Sequence, residues 1–350
     1  MKNKILVTGG AGYIGSHTCI ALHEAGYDIV VYDNLSNSSR EAIRRVSNLI
    51  GESIKFIEGD IRDDEMLGQV FSSNDFFGVI HFAGLKSVSE SVAEPLLYYD
   101  NNVSGTITLL EVMAEYGIKN LVFSSSATVY GDPETLPIDE SSPRSCTNPY
   151  GQSKLAVEYI LEDLAVSDNS WNLIALRYFN PVGAHSSGQI GEDPNDIPNN
   201  LMPYISQVAV GKLEKLSIFG NDYRTIDGTG IRDFIHVIDL AQGHVAALNY
   251  LKNQIIINKR DSIRFLPINL GTGNGTSVLE LVNTFTEVTG KAIPYQFTDR
   301  RKGDVASCYA SASKAKFLLG WEAKLSITEM CQDTWNWQSN NPNGYSVKDI

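Results

Sequence analysis

The chain has 350 residues, 43% of them hydrophobic and 20% charged, a balance that suits a folded globular protein and argues against a disordered one. Its 28 Lys and Arg against 41 Asp and Glu leave a formal net charge of −13, so the average surface repels phosphate backbones and anionic lipid, and neither nucleic acid nor membrane is an expected partner. No run approaches the roughly 18 apolar residues of a membrane span, and Ile5-Leu6-Val7 stops at Thr8-Gly9-Gly10, too short for a secretory core.

Short β-branched runs at Lys4–Thr8, Asp28–Asp33, Ile54–Glu58, Gly78–Ala83, Asn120–Ser125 and Leu173–Tyr178 predict strands. Helical spacing fills the intervals at His17–Ala25, Glu41–Ile50, Pro95–Tyr116 and Gly151–Leu164. Alternating strands and helices imply βαβ units, and strands apolar on both faces imply a sheet covered on both sides. The expected fold is α/β: a doubly wound parallel (Rossmann) sheet with its ligand crevice at the strand C-termini.

After Tyr178 the pattern loosens. Asn180–Asn200 and Asn221–Gly230 read as polar loops, while Met202–Val210, Phe234–Leu251 and Val278–Thr289 read as helices. This predicts a first domain over 1–179 and a smaller C-terminal α/β domain over 180–350, with segments near 233–250 and 268–272 returning to the first. The cysteines Cys19, Cys146, Cys308 and Cys331 form no CxxC pair, so no metal is expected, and reduced thiols in a cytoplasmic protein are.

Strand Lys4–Thr8 runs into Gly9-Gly10-Ala11-Gly12-Tyr13-Ile14-Gly15 and then a helix. Such a turn brings backbone N–H groups and a helix N-terminus against a pyrophosphate. Asp33 ends the second strand, 21 residues after Gly12. A carboxylate there accepts from both ribose hydroxyls and repels a 2′-phosphate, which favours NAD over NADP; Arg40, the only nearby base, lies too far along to reverse that. Asp60-Ile61 ends the third strand on the adenine side. Tyr150 and Lys154 stand at i and i+4, so on a helix both head groups share one face. A neighbouring ammonium and a positive nicotinamide favour the phenolate of a tyrosine base. Ser124-Ser125-Ser126 ends the fifth strand at the same sheet edge and offers hydroxyls to a substrate oxygen and to the tyrosine.

Thr8–Gly15, Ser124–Tyr130 and the Tyr150/Lys154 pair resemble the extended short-chain dehydrogenase/reductase superfamily. Longer strings narrow the resemblance: His81–Lys86, Ser124–Gly131, Arg177–His185, Pro198–Pro203 and Asp227–Asp233 together resemble the UDP-glucose 4-epimerase (UDP-galactose 4-epimerase) family, essentially end to end. Related sugar dehydratases carry Asp-Glu where Ala127-Thr128 stands here, which argues against dehydration. The resemblance implies NAD-dependent, reversible epimerisation at C4 of UDP-glucose and UDP-galactose through a 4-keto sugar, with NAD tightly bound and regenerated each cycle. It implies catalytic roles for Ser126, Tyr150 and Lys154. It implies NAD contacts at Gly9, Gly12, Tyr13, Ile14, Asp33, Asn34, Asn37, Asp60, Ile61, Phe82, Ala83, Gly84, Lys86, Asn101, Tyr150, Lys154 and Phe179. Substrate contacts are implied at Lys86, Ser126, Tyr150, Asn180, Asn199, Asn200, Leu201, Phe219, Arg232, Arg301, Asp304 and Cys308. Arg232 and Arg301 would give the acidic chain its local positive pocket.

Cys308 lies where glucose/galactose-restricted bacterial members carry a tyrosine, so the resemblance implies room for UDP-N-acetylglucosamine and UDP-N-acetylgalactosamine. It also implies a homodimer through a four-helix bundle of the helices near Asp100–Tyr116 and Tyr150–Leu164. Leu109, Val112, Met113, Val157 and Ile160 suit that interface or, equally, a sheet-facing core. The residues by themselves reach only NAD-linked chemistry at an alcohol carbon. A UDP-sugar dehydrogenase and a non-catalytic dinucleotide sensor or scaffold remain open at this level.

Overall fold

A computed structural model describes residues 3–195, 197–198, 200–256, 264–301 and 304–345. Seven strands form one sheet in the spatial order Phe265–Leu270, Asn172–Tyr178, Asn120–Ser126, Phe76–His81, Lys4–Thr8, Asp28–Asp33, Lys55–Glu58. Every pairing is parallel. The pleat sends alternate side chains to opposite faces. Ile5 and Val7 join one hydrophobic cluster and Leu6 the other, which is why these strands are apolar throughout. Helices Tyr13–Glu24, Arg40–Ile50 and Val237–Ile256 cover the first face; Asp64–Ser72, Gly105–Glu115 and Pro149–Ser167 cover the second.

The strand order reverses beside Lys4–Thr8. The chain leaves it for Asp28–Asp33 on one side and later crosses to Phe76–His81 on the other. Loops leaving those two strands diverge, and the gap at their C-terminal ends is the crevice.

Three features bear on the site, two of them departures from the sequence expectation and one, the return of the chain to the sheet near 268–272, in line with it. The stretch Phe234–Leu251 is not one helix. Phe234–His236 is a buried strand paired with Asn180–Val182, and the helix begins only at Val237. Phe265–Leu270 returns to the sheet as its seventh strand beside Asn172–Tyr178. Pro95–Tyr116 is split by a wide π turn at Asp100–Ser104. There Asn102 turns inward, its amide donating to Leu85 O and Ser153 Oγ while its carbonyl accepts from Leu85 N, and Asn101 stands on the cleft wall.

Leu109, Val112, Met113 and Val157 are buried against the sheet, and Ile160 packs on the same cluster, so these side chains are core and not surface. The exposed apolar residues of that layer are others, among them Val92, Leu96, Ile107, Tyr159 and Val166.

The second half builds its own core. Met202, Ile205, Leu281, Phe285 and Met330 come from helices Leu201–Ala209, Val278–Thr289 and Ile327–Asn340. Ser277 and Ser326 start two of these helices with capping boxes. Strand Ile231–Arg232 pairs with Ser307–Cys308 so that Arg232 and Cys308 are direct partners in register. No helix among the described residues is long and apolar enough to cross a membrane.

Candidate active site

The crevice is a cavity of about 1030 Å³ walled by the sheet edge on one side and by loops 180–195, 200 and 304–308 on the other. The glycine turn forms one end. A Cβ on Gly15 would lie 2.4 Å from Gly9 O, and one on Gly9, whose φ is +69°, would lie 2.6 Å from Ala83 N. Only hydrogen fits where strand, turn and helix meet so closely. Gly12 precedes helix Tyr13–Glu24 and supplies no side-chain cap, so the N–H groups of the first turn face the cavity without a side-chain acceptor. That cradle fits a pyrophosphate.

Asp33 is fixed beside it. One carboxylate oxygen accepts from Ala11 N at 2.9 Å, the other from Leu35 N at 2.9 Å and Ser38 Oγ at 2.8 Å. An acceptor-only group held this rigidly on the wall suits a ribose diol and opposes a phosphate. Arg40 is committed elsewhere, to Glu58 at 2.6 Å and over the ring of Phe56.

At the opposite end, helix Pro149–Ser167 starts with Asn148 as its N-cap and Pro149 in its first turn. Tyr150 therefore sits at the helix mouth and Lys154 one turn deeper. Lys154 is buried, its ammonium donating to Ser124 O at 2.9 Å and lying 5.0 Å from the Phe123 ring centroid. Burial lowers its pKa to about 8. Ser126 lies beside the Tyr150 phenol on the cavity wall. The sequence suggests a phenol whose pKa is lowered by the lysine. In the protein alone, burial raises it, and the Ser126 hydroxyl offsets part of that rise. The ammonium is turned to the strand carbonyl.

Ser126 is itself oriented. Thr128 donates to its Oγ twice, from the backbone N–H at 3.2 Å and from the hydroxyl at 3.0 Å. The serine proton is then free to point at the phenol oxygen, the direction that stabilises a phenolate.

The cavity brings together Gly9, Gly12, Tyr13, Ile14, Asp33, Asn34, Asn37, Ile61, Phe82, Ala83, Gly84, Lys86, Asn101, Ser126, Tyr150, Lys154, Phe179, Asn180, Asn200, Arg232, Asp304 and Cys308. Four predicted residues lie off its walls. Asp60 turns its carboxylate to Arg62 and Asn34, and the Arg62 guanidinium holds it well below the usual carboxylate range. Leu201 packs on the core of the second half. Phe219 is stacked under Arg301 at 4.7 Å, and Arg301 is paired with Asp304 at 2.9 Å. Asn199 lies outside the described residues.

Asp304 on the wall also faces the Arg232 guanidinium at 3.9 Å, so one carboxylate stands between two arginines. Arg232 is aimed by its own strand, donating to Ile231 O and Val305 O. Burial pushes the Cys308 thiol up to about 11, so it stands beside Arg232 as a neutral, compact group.

The wall also holds residues that the sequence reading passed over. Glu192 accepts from Lys86 at 2.8 Å and from Asn200 at 2.9 Å, linking the two halves across the cleft. Tyr345 lines the cavity and bonds Gly191 through its hydroxyl. Tyr178, on the wall beside the catalytic candidates, bonds His244. His244 Nδ1 lies 2.8 Å from Leu240 O and must donate to it, so Nε2 accepts and the Tyr178 hydroxyl donates. Tyr178 carried a local signal, its place at a strand end. Glu192 and Tyr345 carried none, because their partners are far away in sequence.

The sequence profile of the family described as GDP-mannose 4,6 dehydratase matches residues 6–334. Over 341 residues the chain is 61% identical to a UDP-glucose 4-epimerase of Bacillus subtilis (strain 168), spanning 97% of this chain and 98% of that protein. Among solved structures, UDP-glucose 4-epimerase from Bifidobacterium longum in complex with NAD+ and UDP matches at a TM-score of 0.93 and 51% identity, over 98% of this chain and 100% of that one. UDP-glucose 4-epimerase from Stenotrophomonas maltophila with bound NAD and formylated UDP-arabinopyranose matches at 0.93 and 47%, over 98% and 99%.

Between about pH 8 and the ordinary lysine range near 10.4, the unfolded chain holds a proton at residue 154 that the folded chain has lost. Stability therefore rises with pH across that window, and the cost of the buried charge is fully present below it. In ligand-free protein, wild type is expected to gain stability relative to Lys154→Met as pH rises from about 7 to 10 in a melting series. A difference that stays flat over that range would show that the lysine does not titrate there.

Proposed function

We propose how this chain, which belongs to the UDP-glucose 4-epimerase family, inverts C4 of UDP-glucose and UDP-galactose: Tyr150 moves the proton while the two halves of the molecule hold NAD and the uridine diphosphate. The glycine turn Gly9–Gly15 with Tyr13 and Ile14 would hold the pyrophosphate of NAD, Asp33, Asn34 and Asn37 its adenosine ribose, and Phe82, Ala83, Gly84, Tyr150, Lys154 and Phe179 its nicotinamide half. When bound, the cofactor supplies the reversible two-electron oxidation of C4 through which the sugar passes as a 4-ketone.

The chain's own residues move the proton. Tyr150, as phenolate, accepts the proton of the 4-hydroxyl and returns it to the 4-oxygen after the ring has turned over. Ser126, oriented by Thr128, donates to the phenol oxygen and so favours the phenolate. Lys154 keeps a positive charge one turn below, in a site shut off from water where such charges act strongly. Arg232 and Asn180 would anchor the diphosphate end, with Arg301 and Phe219 at the rim. The sugar would be held loosely enough for its ring to turn over while its diphosphate stays fixed. Ala127 and Thr128 bring no acid to expel a sugar hydroxyl, which favours epimerisation over dehydration. A net dehydrogenase and a non-catalytic dinucleotide sensor are not favoured: the relatives are epimerases, and a sensor has no need of Ser126, Tyr150 and Lys154 gathered in one cleft.

The division of labour follows the fold. Residues 1–179, with the returning segments 237–256 and 265–270, would bind NAD, and the remainder of 180–350 the UDP-sugar. Four free cysteines suit a reducing, cytoplasmic setting. The chain would pair with a second copy through the exposed apolar face that carries Val92, Leu96, Ile107, Tyr159 and Val166.

The observation that carries this reading is the placement of Tyr150 beside Ser126, itself oriented by two Thr128 hydrogen bonds, in a dinucleotide cleft. Proton NMR of UDP-galactose incubated with wild type is expected to show UDP-glucose, and Tyr150→Phe to lose about 10²-fold or more in kcat while still binding UDP. Wild-type turnover in the Phe variant would remove Tyr150 as the base. Cys308 lines the cavity and is small, and the resemblance puts it where restricted members carry a tyrosine, so UDP-N-acetylglucosamine is an expected substrate that Cys308→Tyr rejects while keeping UDP-galactose. No turnover of the acetylated sugar by wild type would refute this. Sedimentation equilibrium is expected to give twice the chain mass, and a monomer at micromolar concentration would refute the pairing.

A further inference from the structure

Helix Pro149–Ser167 presents Tyr150, Lys154 and Glu158 on one face at successive turns. The first two stand in the cleft. Glu158 lies beyond it, fully buried, and the reaction makes no use of it. Arg177, also buried, holds its carboxylate by both oxygens, Nε to Oε1 at 2.9 Å and Nη2 to Oε2 at 2.6 Å. Ser125 donates to Oε1 at 2.6 Å, and Arg144 approaches Oε2 at 3.5 Å. Ser125 and Arg177 are register partners on adjacent strands. The remaining fork of Arg177 reaches Tyr130 Oη at 2.8 Å, and that hydroxyl donates to Asn269 at 2.6 Å on the seventh strand.

A buried ion pair adds little net stability over apolar residues of the same volume, because desolvation cancels most of the attraction. What it adds is direction. A two-point fork fixes both the rotation of the helix and its height above the sheet, which a greasy contact does not. The residues it grips border those of the site. Ser125 stands between Ser124, whose carbonyl takes Lys154, and Ser126, which lowers the Tyr150 phenol pKa. Arg177 is followed by Tyr178 on the cavity wall.

We propose that Glu158 and Arg177 are positioning residues: they set the register between the helix that carries the phenol and ammonium and the strand that carries their two partners. The proposal rests on the epimerase reading for its kinetic assay, but not for its second readout. In the double variant Glu158→Leu/Arg177→Met both charges go, so none is left buried alone. This variant is expected to melt within a few degrees of wild type and to bind UDP within about twofold, yet to lose about tenfold or more in kcat with KM little changed, because small misplacements of a reacting group are costly. Glu158→Asp, which keeps the charge but shortens its reach by one methylene, guards against a double variant that does not fold and is expected to show the same loss in kcat.

The second readout is ultraviolet difference titration of the Tyr150 phenol, taken against Tyr150→Phe in each background. Its midpoint should rise in the variants as Ser126, which holds the phenol pKa down, is drawn out of place. Wild-type kcat together with an unmoved midpoint in a folded variant would reduce the pair to scaffolding. If wild type itself fails to epimerise UDP-galactose, the functional reading falls, and the phenol midpoint alone decides the positioning role.

Discussion

The site depends on how Ser126, oriented by Thr128, is presented to the Tyr150 phenol. A phenol in a cleft is a weak base at neutral pH, and burial weakens it further by disfavouring the anion. Only groups that favour the charged form reverse this. Thr128 saturates Ser126 with two donated protons and leaves the serine proton no better direction than the phenol. Lys154 contributes charge from below, its ammonium tied to Ser124 O and not to the phenol. The cofactor's own positive ring would add the rest. The base is therefore competent chiefly when the cleft is loaded, which suits an enzyme that must not abstract protons without an acceptor for the electrons.

The second constraint is electrostatic. A chain with a net charge of −13 has to hold two diphosphates. It does so locally: backbone N–H groups at a helix N-terminus at one end, and arginines around Asp304 at the other. The carboxylates in and around the cleft are occupied rather than bare. Asp33 is held by backbone and serine donors with acceptor capacity left for a ribose hydroxyl, Glu192 is paired with Lys86 and Asn200, and Asp304 with its arginines. This lets an acidic protein wall an anion site without repelling the ligand, while Asp33 still disfavours a phosphate at the ribose.

The sequence was most informative where the chemistry is local. Gly9, Gly12 and Gly15 lie within one turn of chain, Asp33 ends the next strand, and Tyr150 and Lys154 are one helical turn apart, so each signal sits inside one βα unit. Thr128 was visible as a residue but not as the orienter of Ser126, because that role depends on how the short 3₁₀ turn Ala127–Tyr130 folds back. Asp60 and Leu201 line up with the motifs yet face away from the cavity, drawn off by Arg62 and by the second core. Leu109, Val112, Met113 and Val157 were undecided between interface and core. An amphipathic helix tells which of its faces is apolar but not what covers it, and the sheet does.

The sequence by itself determined the strand-and-helix alternation, the dinucleotide turn and the spacing of base and ammonium, because these follow from periodicity and from residues a few positions apart. Tertiary structure alone decided the rest. It decided that Glu192 bridges to Lys86, that Tyr345 comes back to the cleft wall, and that Glu158 meets Arg177. The physical reason is one of range. A side chain's local pattern encodes which way it faces, whereas its partner across the fold is selected only when separate elements pack at one distance and one rotation.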